Sequence, residues 1–105
     1  MNESDQIQSD SPIKHDEFRV GPEGGVLGSC WTDKTEEGYS VQASVTSYYY
    51  ERGCKKKMNH VPNVVVTDDS GAIVSEPHVH DSTNAEKAIE NARKTVKAVF
   101  GRLEE

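Results

Sequence analysis

The sequence predicts an α+β fold: an antiparallel β-meander of three to five strands with one C-terminal amphipathic helix packed across one face. Three observations predict it. Over residues 83–103, Ala85, Ala88, Ile89, Ala92, Val96, Val99, Phe100 and Leu103 fall within an arc of roughly 120° at helical spacing. Residues 39–50 (YSVQASVTSYYY) alternate like a half-buried antiparallel strand. Asp68-Asp69-Ser70-Gly71 is a turn sequence between two β-branched runs.

The elements follow in order. Residues 1–16 hold only Met1, Ile7 and Ile13 as apolar residues and read as a disordered N-terminal tail, leaving residues 17–105 as a single α+β domain. Residues 17–20 give a short strand, which Gly21-Pro22-Glu23-Gly24-Gly25 breaks. Residues 26–32 (VLGSCWT) give a second strand and residues 33–38 a polar loop. A strand over residues 39–50 spans about 40 Å, long enough to predict a bend or bulge near Ser47 and Tyr48. Residues 51–61, with Gly53 and three consecutive lysines, read as a polar connection. Residues 63–67 (NVVVT) and 72–75 then pair across the turn, Thr67 with Ala72, Val66 with Ile73 and Val65 with Val74. Pro77 ends that strand, and His78-Val79-His80 continues extended. The helix is predicted to start at Thr83, with Glu86 completing a capping box and Ser82 as the competing cap. Glu90 and Lys94 make a favourable i,i+4 pair.

One helix covers one face of a sheet, yet Val64, Val65 and Val66, and likewise Tyr48, Tyr49 and Tyr50, point alternately to both faces. The helix is also about 31 Å long and should overhang a narrow sheet, carrying Phe100 and Leu103 with it. Both mismatches predict a homodimer.

The 105 residues carry a net charge of −6, unevenly placed. Acids dominate residues 1–25, whereas residues 51–57 carry four bases against one acid. The overall acidity argues against general nucleic-acid binding. No apolar run approaches the ~20 residues of a membrane helix, and the start of the chain has no signal-peptide pattern, so no membrane association and a cytoplasmic location are expected.

Tyr48, Tyr49 and Tyr50 lie next to Arg52, Lys55, Lys56 and Lys57. Tyrosine and arginine are favoured in protein-binding hot spots, so these seven residues are the candidate partner-binding set. Aromatic faces rimmed by cations also suit a nucleic acid or nucleotide. His78 and His80 share one side of an extended backbone, the spacing of two zinc ligands, with Asp81, His60, Cys54 and Cys30 as further candidates. Amides at the helix start beside these histidines suit an anion. Cys54, among bases, is the more reactive thiol expected of the two, and Cys30 beside Trp31 the buried one.

No catalytic signature stands in the sequence. Gly21–Gly25 lacks the ending of a phosphate loop, and a Ser/His/Asp triad is recognised by geometry, not by listing residues. The expected function is therefore a small non-enzymatic protein that contacts a protein partner, such as an inhibitor or adaptor of the kind phages encode. A sensor or sequestering module for an anionic or nucleotide-like molecule is the alternative. A metal-dependent enzyme using His78 and His80 is the third.

Overall fold

The computed structural model describes residues 11–104. Among these, seven strands precede one helix: β1 (Ile13–Asp16), β2 (Arg19–Val20), β3 (Val26–Leu27), β4 (Ser29–Thr32), β5 (Ser40–Arg52), β6 (Lys55–Thr67), β7 (Ile73–Ser75) and α1 (Ala85–Leu103). The main sheet has the order β1-β4-β5-β6-β7, every neighbour antiparallel, and β2 and β3 form a separate small hairpin. The fold class is α+β, as the alternation in β5 and the helical stripe predict.

The core lies between one sheet face and α1. Strand period 2 sends Val41, Ala43 and Val45 of β5 and Val64 and Val66 of β6 to that face, where they meet Ala88, Ile89, Ala92, Val96 and Val99. Ala88 and Ala92 are fully buried, so the helix sits close to the strands where its side chains are smallest. Glu90 and Lys94 do pair, at 3.6 Å. Arg93 ties the helix to β1, its Nε 2.8 Å from one Asp16 carboxylate oxygen and its Nη2 donating to the other at 3.0 Å.

Several expectations are corrected. Ile13–Asp16 belong to a strand, because β4 offers a free edge with which they pair. Met1–Asp10 lie outside the described residues. The lysine run is not a loop: β5 and β6 pair residue for residue from Ser40↔Thr67 to Arg52↔Lys55, with no bulge at Ser47 or Tyr48. Gly53 and Cys54 form the turn, with Gly53 at φ +66°, the first central position that a type II′ turn reserves for glycine. Lysine is disfavoured in strands only weakly, and a two-residue turn enforces the pairing.

The β6–β7 register also differs, with Thr67 opposite Ile73 and Val66 opposite Ser75 across a bulge. The Asp68 carboxylate causes it by accepting from the Ser70 amide and hydroxyl and from the Ala72 amide, which holds Ala72 in the turn. The Ser70 hydroxyl, followed by the Ala72 amide, holds the Asp68 pKa below its ordinary value.

The helix cap is Asn84, whose side chain accepts from the Lys87 amide at 2.9 Å, and not Thr83. Ser82 is bound to His60 by two backbone hydrogen bonds, so the chain leaves the sheet edge one residue later than the capping box requires. Phe100 and Leu103 are half-buried against the core instead of overhanging it. The element that projects is the β5–β6 hairpin, since neither β4 nor β7 pairs with it beyond Ser44 and Val66.

Candidate functional site

The projecting end of β5 and β6, from Ser47 to His60, is a two-stranded arm. Residues directly opposite in an antiparallel ladder share a face. Ser47, Tyr49 and Glu51 therefore face the helix side with His60, Met58 and Lys56. Tyr48, Tyr50 and Arg52 face the other side with Asn59, Lys57 and Lys55. The seven predicted binding residues thus meet on one arm but on two surfaces. Tyr48, Tyr49 and Tyr50 do not make a single stacking platform, because consecutive strand residues point apart.

On the helix side, the Lys56 ammonium lies 4.8 Å from the centre of the Tyr49 ring, a diagonal cross-strand cation–π contact. Tyr49 is 50% exposed and stands with Met58 over a cleft of about 330 Å³ against Gly21, Pro22, Val26 and Leu27. A second cleft, about 530 Å³, runs from Tyr49, Lys56 and Met58 to His60 and the first helical residues. On the opposite side, the Asn59 amide nitrogen donates to the Tyr48 hydroxyl at 3.2 Å and to the Asp81 carboxylate at 2.8 Å.

The base of the arm holds a network that the sequence reading missed. The Val26 amide donates to Ser47 Oγ at 2.9 Å, and Ser47 Oγ lies 2.7 Å from His60 Nδ1. Ser47 and His60 are directly opposite, and His60 exchanges its backbone bonds outward with Ser82. The pair is therefore the close, non-hydrogen-bonded kind, which brings the side chains together. Ser47 Oγ thus bridges the Val26 amide of the hairpin to the His60 ring on β6. His60 is only 3% exposed, and burial pushes its pKa below the ordinary histidine value. Reading residues 51–61 as strand would have paired the two residues.

His78 and His80 are both exposed, their rings perpendicular with centres 5.2 Å apart. The structure gathers no zinc set around them. His60 is turned to Ser47, Asp81 to Asn59, Cys30 is buried in the core and Cys54 sits at the tip of the arm. Among the described residues no group of three or more histidine, cysteine, aspartate or glutamate side chains is placed to hold a metal ion.

The two thiols differ sharply. Cys30 is fully buried, and burial, then the Asp16 carboxylate, push its pKa up to about 11 against the opposing pull of Arg93. At pH 8 its thiolate fraction is on the order of 10⁻³. Maleimide should label Cys54 in the native protein and Cys30 only after denaturation, read by intact-mass spectrometry. Native double labelling at comparable rates would show that the β4 side of the core opens readily.

No helix of the described residues is long and apolar enough to cross a membrane. Compared with protein-family models, with curated proteins and with solved structures, the chain matches none.

Proposed function

We propose that the protein acts by contact with a protein partner, without turnover, through the helix-side face of its arm. The observation that carries this reading is Tyr49, half exposed, cation-paired to Lys56 and set beside a cleft with an apolar wall of Val26, Leu27 and Met58. An aromatic anchor, a neighbouring cation and an apolar pocket are the ingredients of a binding hot spot. An acidic or aromatic loop of a partner would fit all three.

A photo-crosslinking residue at position 49 tests the reading in cells. It should give one discrete protein adduct, which Lys56→Glu weakens. The same residue at position 102, on the far turn of α1, should give none. A smear of adducts equal at both positions, or none at position 49, would refute the reading.

A second reading is favoured by one observation. His60, Lys56 and the start of α1 line the larger cleft together with Glu23 and Glu86, so an anion such as a phosphate group would be held there by Lys56, His60 and the helix start against two carboxylates. Phosphate or nucleotides should then raise the unfolding temperature, since a ligand of the native state alone stabilises it. His60→Gln should abolish the rise. No shift at millimolar ligand would dismiss the anion reading and leave the contact reading intact.

A further inference from the structure

Among the described residues, α1 covers one face of the sheet and the opposite face is open, with His15 of β1 stacked on Trp31 at 4.6 Å between ring centres. Gln42, Ser44, Thr46, Tyr48 and Asn63 are exposed on it, and Trp31, Tyr50, Val61 and Val65 are half-buried. Its cross-strand rows run in a definite order. At one end, beyond the row of Ser40 and Thr67, lie the loop at residues 33–38 and the turn at residues 68–71. These two segments touch, since a side chain on Gly38 would meet the Asp69 Cβ at 2.7 Å. Together they hold Asp33, Glu36, Glu37, Asp68 and Asp69 against the single base Lys34. At the other end, the tip of the arm presents Arg52, Lys55 and Lys57 on this face with no acid among them, Glu51 and Lys56 lying on the helix side. Between them come Trp31, Gln42 and Val65 in one row, Ser29, Ser44 and Asn63 in the next, then Thr46 with Val61, and Tyr48 with Asn59.

That order is complementary to its own reverse. We propose that the open face binds a second copy of this chain, turned end for end about a two-fold axis near Ser44, Thr46, Val61 and Asn63. The reversal lays the basic tip of each copy over the partner's acidic end. It also lays Trp31 and Val65 over the partner's Tyr48, while small polar side chains meet at the axis. A two-fold interface has to be self-complementary in this way. Two thirteen-residue strands flanked by strands of three and four residues, at ~3.3 Å per residue and ~4.8 Å per strand, offer roughly 600 Å² per copy, below the ~800 Å² of a standard interface and in the range of a weak, micromolar dimer. Opposite charges at the two ends set the register and penalise a parallel arrangement. The helix-side face of the arm, with Tyr49 and Met58, stays free in such a dimer.

Sedimentation equilibrium of the full chain at about 100 μM, which populates any dimer of micromolar Kd, tests it. The expected result is twice the 11.6 kDa chain mass, with Kd rising as salt screens the ends. Lys55→Glu with Lys57→Glu should raise Kd at least about tenfold. Adding Glu36→Lys and Glu37→Lys to the same chain should restore it, which a misfolded variant would not. Trp31→Glu should leave a monomer with an unchanged circular dichroism spectrum, and Tyr49→Ala should leave a dimer. A bismaleimide should bridge Cys54 to a cysteine at position 69 of the other copy. A monomer at this concentration in low salt would overturn the proposal. So would a dimer indifferent to the charge reversals, or one lost with Tyr49→Ala. A monomer whose mass rises only with added single-stranded oligonucleotide would assign the open face to nucleic acid instead.

Discussion

Gly28→Ala is expected to cost about 3 kcal/mol of stability, lowering the thermal midpoint by roughly 12–24 °C for a domain of this size. Gly28 has φ +89°, where a side chain costs about 1–2 kcal/mol by itself. The larger problem is space. A Cβ at Gly28 would overlap the Glu17 carbonyl oxygen and stand 2.7 Å from its carbon, and backbone cannot swing aside as a flexible side chain can. The Glu17 amide is fixed in turn by donating to the Ser29 carbonyl at 2.8 Å. Relief requires separating β1 and the β2–β3 hairpin from β4, so the variant should lose protection in β1 first. Gly53→Ala is the control, because Gly53 shares the positive φ and nothing lies within 4 Å of the added carbon. Thermal melts followed by circular dichroism compare the two. Equal losses would show that the close approach at Gly28 carries no weight.

Ser47→Ala should be the next most costly change, at about 2–4 kcal/mol. It leaves both the buried Val26 amide and His60 Nδ1 without partners. Because this hydroxyl ties the β2–β3 hairpin to the arm, the cleft beneath Tyr49 should widen as well. The His60 pKa also gives the fold a pH dependence whose sign is fixed. Burial lowers that pKa, so between the unfolded value near 6.5 and the folded value the unfolded chain binds more protons. Stability is therefore full above about pH 6.5 and falls as the pH drops through that window, by at most about 1.4 kcal/mol per pH unit for one proton. Urea titrations of the wild type and of His60→Gln at pH 7.5 and pH 5.5 separate this proton from the others. If both proteins weaken equally on acidification, His60 is not its source.

What the sequence made legible was what periodicity controls. The stripe from Ala85 to Leu103 and the alternation from Val41 to Val45 placed the helix, the central strand and the buried face of each. What it hid were features settled by competition between neighbours. The three lysines looked like a solvated loop because their charge is local and visible. The turn at Gly53 and Cys54 that forces them into a strand acts through backbone geometry. The cap moved from Thr83 to Asn84 because a sheet-edge contact at Ser82, distant in sequence from His60, claimed the chain first. The same error concealed the candidate site. Once residues 55–60 are strand, Ser47 meets His60 and the tyrosines divide between two faces. While those residues are a loop, the tyrosines and lysines remain one undivided patch.

Pro62 has a consequence of another kind. His60 turns its amide outward to Ser82, and two residues later Pro62 presents the same outward position with no hydrogen to give. Between His60 and Val66 the chain's own residues 76–81 run beside β6, and any strand displacing them would find a gap in the ladder at Pro62. The longest strand on that side of the sheet is thus unable to template a continuous new neighbour. The molecule that exposes a long two-stranded arm carries, in one imino acid at the foot of that arm, a stop against edge-to-edge fibre growth.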